Sequence, residues 1–510
     1  MATLEGQTIA ASYKDLLQVS NSNSGIDATA RAVSDGEGTA ALLYLSTTEV
    51  YSPGAGANTG NTIFGKSAFN TSTDNASDYN TAIGELAMGT GTVAAAINNV
   101  AVGYKSLEDI TSGDSNVAVG YLALSSNAAA SSLVAVGANA LKTSVTGTYN
   151  TAVGDVALQL ATASFNTAVG ALAGSNISDG QYNTYVGAAA GDAALGADHN
   201  TGVGSYALSG ATTGASNTAL GFNAGLSITT GFGNTLLGRR AGDGFDEENY
   251  NTAIGSDALG GATTCASVVA IGAGAMIAAA TQNGTVAIGA EALASLTSGA
   301  SNTAVGHQAG NALTTTGENT LIGHGTGVAI TGIGNTAVGM NALGDGSQDS
   351  AISYCVAIGR GALTTADSTH DSGQVAVGYK ALQDADAATG TAANVAVGYE
   401  ALKVCTTGTT NTALGYQALL ACLTGSGNIA IGKDALIALT DGASNVAIGV
   451  DSGTAITTGD QNVFVGSGAG YATQDVDKAV CIGYDAGLGV MTSTADGTVA
   501  IGYEALNDLT

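Results

Sequence analysis

Residues 394–398 read NVAVG, 411–415 NTALG, 428–432 NIAIG and 445–449 NVAIG. The pentapeptide returns 26 times, from NTIFG ending at Gly65 to TVAIG ending at Gly502. Successive glycines are usually 17 residues apart, with exceptions of 16 or of 19 to 20. A period held this strictly marks a solenoid, in which each repeat is one coil stacked on the last. With the glycine as position 0, position −1 is apolar in every copy and position −3 is Thr, Val or Ile. Position −2 is Ala in 19 copies and position +3 is Ala in 23. Alternation of branched and small residues at period two is a strand signal, with successive side chains on opposite faces. The strand therefore has one bulky face and one of Ala and Gly that another backbone can approach.

Position −4 is Asn in 19 copies, among them Asn116, Asn217, Asn411, Asn428 and Asn445, paired with Gly120, Gly221, Gly415, Gly432 and Gly449. Coils stacked at the parallel strand spacing would set these side chains one above another as an amide ladder. After the strand comes G-x-x-A-L and then a Thr/Ser-x-Gly turn segment such as Thr424-Gly425. Seventeen residues have room for two short strands and two turns, and none for a helix with its connections. The predicted fold is all-β: a parallel β-roll or β-solenoid of about 26 coils, residues 58–510. If each coil rises by one strand spacing, the rod is roughly 125 Å long. Residues 1–57 are expected to form a small N-terminal β-domain, with a turn at Asp35-Gly36-Glu37-Gly38.

Composition narrows the function classes. The chain of 510 residues carries 76 Gly, one Pro, no Trp and 10% charged residues, with 12 basic against 40 acidic and a net charge of −28. Phosphate recognition needs clustered Lys and Arg, so nucleic acid is not an expected partner, nor is an anionic membrane. The opening MATLEGQTIAASYKDLLQ has neither the basic start nor the apolar core of a signal peptide. No apolar run is long enough for a membrane span. These features point to a protein made in the cytoplasm.

The NxAxG-x-x-A repeat resembles the head repeats of trimeric autotransporter adhesins, over residues of roughly 61 to 510. That resemblance implies a left-handed roll and a homotrimer. The repeat is longer here than in those heads, and no coiled-coil stalk or membrane barrel is recognised. The longer form NTAVGYxAL looks like segments of tail-fibre and appendage proteins of tailed phages, marine ones in particular. The stretch SYKDLLQVSNSNSGIDATARAVSDGEGTAALLYLS, residues 12–46, also looks like the opening of such virion proteins. What this implies is a structural fibre subunit of a virion, docked through its N-terminal domain on a tail or capsid component. A host-surface receptor, a tip protein or a head-to-tail neighbour would meet the distal end. The alternative is a bacterial surface adhesin or a self-assembling extracellular filament. A third reading, an ice-binding or carbohydrate-active solenoid, asks for a flat exposed Thr array or a carboxylate pair in a groove. Thr alternates with Val at −3, which is expected to be half-buried.

No catalytic constellation stands out, and neither enzyme activity nor a cofactor is expected. His307 and His324 each follow their repeat glycine and should stack on adjacent coils; in a trimer they could ring a metal, though surface positions explain them more simply. His199 and His370 are scattered. Cys405 and Cys422 share a phase seven residues past their glycines, where Leu296, Leu313 and Leu439 stand elsewhere. They read as apolar fillers, with an inter-coil disulfide geometrically open, and Cys481 sits in the Ala slot. The acidic loop Gly242–Glu248 could take calcium, but Arg239 and Arg240 offer a plainer partner. Tyr follows the repeat glycine seven times (Tyr104, Tyr121, Tyr379, Tyr399, Tyr416, Tyr484, Tyr503) and is expected to cover the end of the roll.

Overall fold

The computed structural model describes the backbone of four short strands between residues 18 and 51. It then describes residues 60–507, apart from 70–75, 279–280, 345–351, 366–371 and 386–392. The turn at Asp35–Gly38, the boundary at 57/58 and His370 lie outside the described residues. The strands Gln18–Val19, Arg31–Ser34, Ala40–Leu45 and Val50–Tyr51 pair antiparallel in chain order.

The fold is a parallel β-solenoid with a period of about 17 residues. Among the described residues it has no α-helix, only a 3-10 turn at Ser493–Ala495. Among the described residues no helix is long and apolar enough to cross a membrane. All 26 pentapeptides form three-residue strands, and two compact units divide them, Met1–Asn234 and Thr235–Thr510. In the first unit ten strands run from Thr62–Phe64 to Thr218–Leu220, and in the second sixteen run from Thr235–Leu237 to Val499–Ile501. Within each unit every strand pairs in parallel with its equivalent one coil on, position against position: Thr412 with Ile429, Ala413 with Ala430, Leu414 with Ile431.

Among the described residues the expected second strand appears in only one pair of coils, at Asp384–Ala385 and Val404–Cys405. Elsewhere that side is built from turns, because positions +2 and +4 adopt left-handed backbone. In the coil of Gly415, Gln417 has φ 51° and Leu419 has φ 55°. Their N–H groups still bond between coils: Gln417 donates to the Tyr399 carbonyl at 2.8 Å and Leu419 to that of Ala435 at 2.9 Å. Backbone groups are thus satisfied all round the coil without a second regular strand.

The core is one side chain thick. Ala at −2 and +3 and Leu at +4 are fully buried in coil after coil, for example Ala413, Ala418 and Leu419. Seven copies carry another residue at −2, and the larger of these are matched by glycine at +4. Tyr185 faces Gly174 and Gly191, Leu321 faces Gly310 and Gly327, and Phe464 faces Gly453 and Gly470. A Cβ added to Gly470 would stand 2.5 Å from the Phe464 ring, and one added to Gly327 would stand 2.7 Å from Leu321. The thin face of the strand is therefore the inside. The bulky face, positions −3 and −1, points outward and is half-buried or exposed in every coil.

Candidate functional site

The repeat residues singled out in the sequence all lie in the inner scaffold. Asn116, Asn217, Asn411, Asn428 and Asn445 are fully buried. Each backbone N–H donates to the Oδ1 of the Asn one coil before, at 2.9 Å for Asn116 and 2.8 Å for Asn217. The side-chain amide donates to a turn carbonyl of the next coil, at its position −7: Asn116 to Ala130 at 3.0 Å and Asn445 to Gly459 at 2.8 Å. In the run Asn411–Asn428–Asn445–Asn462 it also donates to the preceding Oδ1, at 3.1, 3.1 and 2.9 Å. The amide ladder is present. It carries one step beyond its last Asn: Cys355 and Ala479 still donate their N–H to Asn335 and Asn462.

Gly120, Gly221, Gly415, Gly432 and Gly449 have φ between 134° and 145°. Side chains rarely adopt that backbone. In the same column a Cβ on Gly103 would stand 2.5 Å from the carbonyl oxygen of Gly120. The glycine therefore serves both the turn and the close stacking of coils.

Not foreseen from the sequence is a second polar ladder at position −6. Asp, Ser or Asn there accepts or shares the backbone N–H of the preceding coil: Ile97 to Asp114 at 2.8 Å, Thr409 to Ser426 at 3.0 Å, Ala443 to Asp460 at 2.7 Å, Asp460 to Asp477 at 2.7 Å. The signal was the recurrence of short polar residues ten before the buried +4 residue, masked by the variety of types that can accept one hydrogen bond.

On the outside, the −3 and −1 columns carry no charged residue in any of the 26 strands. Leu414 is 46% exposed, Leu237 41% and Ile448 39%. The Thr of position −3 stands on this face as well, with an uninterrupted run in the first unit of Thr151, Thr167, Thr184, Thr201 and Thr218. Thr201 and Thr218 are exposed and the others half-buried.

The repeat tyrosines stack on one another along the outside. Tyr379–Tyr399 and Tyr399–Tyr416 have ring centroids 5.1 Å apart, Tyr104–Tyr121 5.6 Å and Tyr484–Tyr503 5.5 Å. A second column at −5, unnoticed in the sequence, stacks Tyr149, Phe165, Tyr182 and His199. His307 and His324 stack at 5.1 Å as expected. Among the described residues no three His, Cys, Asp or Glu side chains gather as a metal site.

All five cysteines are buried thiols, and none is in a disulfide. Cys405 and Cys422 fill the inward +7 slot and donate to the Gly408 and Gly425 carbonyls at 3.2 and 3.3 Å. The neighbouring Cys405 thiol and burial hold Cys422 far above the ordinary thiol range. Burial, with the Glu248 charge, pushes Cys265 up to about 12, and burial alone takes Cys481 to about 11. These thiols stay protonated near neutral pH, which makes them poor nucleophiles.

In the acidic loop Arg240 pairs with Asp243 at 2.7 Å, whereas Arg239 reaches forward to Asp257 at 2.5 Å instead of serving the loop. Asp246, Glu247, Glu248, Thr263, Thr264 and Cys265 line much of an open cavity of about 530 Å³. Glu248 is buried there, and burial raises its carboxyl above the ordinary range against the pull of backbone N–H groups. It occupies position −7, where most coils place Gly or Ala, such as Gly231, Gly299 and Gly408.

No protein-family model matches the chain, and no curated protein matches it.

Proposed function

We propose that this chain is a structural fibre subunit of a virion, a tail fibre or appendage, assembled as a left-handed homotrimer that serves attachment to a host surface. The observation that carries the reading is the pair of uncharged columns at −3 and −1. They run outward through every coil of a chain whose net charge is −28. A monomer of that charge has acids enough to cover its surface, yet this face has none. Packing it against identical copies in register removes Thr, Val, Ile and Leu from water at about 25 cal/mol per Å². The number three comes from the likeness of the repeat to trimeric adhesin heads. In this reading the chain has no catalytic role, the N-terminal region grips a tail or capsid component, and many weak contacts act together at the host.

Light scattering on the purified full-length chain tests it. A mass three times that of the monomer is expected, and Leu414→Lys with Ile448→Lys should return it to one. A wild-type monomer would overturn the assembly, and open-ended filaments would favour a surface adhesin or extracellular filament.

The outward Thr run from Thr151 to Thr218 favours a second reading, an ice- or carbohydrate-binding face. Thermal hysteresis of the wild-type chain, abolished by Thr184→Lys, would support it over the fibre.

A further inference from the structure

The rings at position −5 lie outside the −3 and −1 columns that carry the assembly proposed above. Tyr149, Phe165, Tyr182 and His199 stand on four successive coils, with centroids 5.2, 5.0 and 5.1 Å apart and planes within 17° of parallel. Each is held by left-handed backbone, with φ between 56° and 64°. All four are exposed, Tyr149 by 60%. Ser132 and Ser216, with φ 60° and 57°, bound the stack.

To insert another ring into such a stack, its neighbours would have to stand about 7 Å apart, two contacts of about 3.5 Å. The ring faces are therefore spent within the ladder, and solvent meets a row of ring edges, one per coil. A flat conjugated molecule lying along the row covers the exposed edges of several rings at once and removes apolar ring area from water. Charge selects the ligand further: residues 143–238 contain no Lys or Arg but hold Asp155, Asp179, Asp192 and Asp198. The local potential is negative and draws cations.

We infer that the Tyr149–Phe165–Tyr182–His199 ladder is a binding site for elongated, flat aromatic cations, lying parallel to the row of rings. It needs only this chain and does not rest on the fibre reading.

Thioflavin T, a flat cationic dye, is the probe, added to the full-length protein and followed by fluorescence and equilibrium dialysis. Saturable binding is expected, weakened at least tenfold by Phe165→Ser with Tyr182→Ser. Serine already occupies this position with the same backbone at Ser132, Ser216, Ser267, Ser301 and Ser444, so the circular dichroism spectrum should not change. Phe165→Tyr keeps the ladder and should keep the affinity, and a sulfonated anionic dye of similar shape should bind more weakly. Absence of wild-type binding, equal binding by the double serine variant, loss of binding in Phe165→Tyr, or preference for the anionic dye would each overturn the assignment.

Discussion

At the scale of single residues, glycines in this chain are not equivalent. Gly432 has φ 134° and lies against the next coil's backbone, whereas Gly427 has φ 69° and its nearest atom to an added Cβ is 3.7 Å away. Gly432→Ala should cost about 2–4 kcal/mol through strain and overlap, while Gly427→Asn should cost under about 1 kcal/mol. Urea unfolding of both variants makes the comparison, and equal losses would refute it. Glu248 gives a pH signature. Its folded-state carboxyl is raised above the ordinary value, so the folded protein holds the proton longer than the unfolded chain. Its contribution is therefore full below the ordinary carboxylate range and is lost as pH rises through the raised value. Glu248→Gln should melt higher than wild type at neutral pH and lose that advantage in acid; parallel pH profiles would contradict this. Positions 0 and −4 were legible in the sequence because one residue type suits each. Position +4 was not, since Leu is an unusual left-handed residue. Its signal was an exclusion: Leu, Met, Phe and Gly occur there, and never Val, Ile or Thr.

At the scale of the coil, packing is a trade between positions −2 and +4. Ala with Leu is the common solution, and a ring with glycines is the other. Phe464→Ala should empty the core locally and cost about 3–5 kcal/mol. Adding Gly453→Leu and Gly470→Leu to that variant should restore much of the loss, because both sites then match the common coil. The same two leucines in the wild-type background should destabilise it. Thermal unfolding of the four proteins completes the cycle, and additive effects would mean that the three positions do not share space. The strand and its period were readable from alternation alone, but which face is inside was not. Small residues can mean either a close neighbour from another chain or a thin interior of the same chain, and the interior is what the fold uses. The second strand was misread because room in the coil was counted without the left-handed residues that bend it.

At the scale of the whole molecule, charge and apolar surface act against each other in any assembly. Each copy brings a net charge of −28, and copies packed side by side repel. Added salt screens that repulsion, with a Debye length falling from about 30 Å at 0.01 M to about 10 Å at 0.1 M. The associated fraction should therefore grow with ionic strength in sedimentation velocity runs. A fraction that shrinks with salt would mean that ion pairs, and not the uncharged columns, hold the copies together. Nothing in the sequence announced the aromatic ladder at −5, because its four members are of three residue types.

The rare rings of the core have one more consequence. A chain of near-identical coils could pair out of step by one repeat and still align every repeat glycine. Phe464 forbids it: one step off, the coil beneath it would offer Leu436 where Gly453 belongs. Tyr185 and Leu321 set the same lock in their own neighbourhoods. These few side chains give an otherwise repetitive text its page numbers, so that a folding chain can be assembled in only one order.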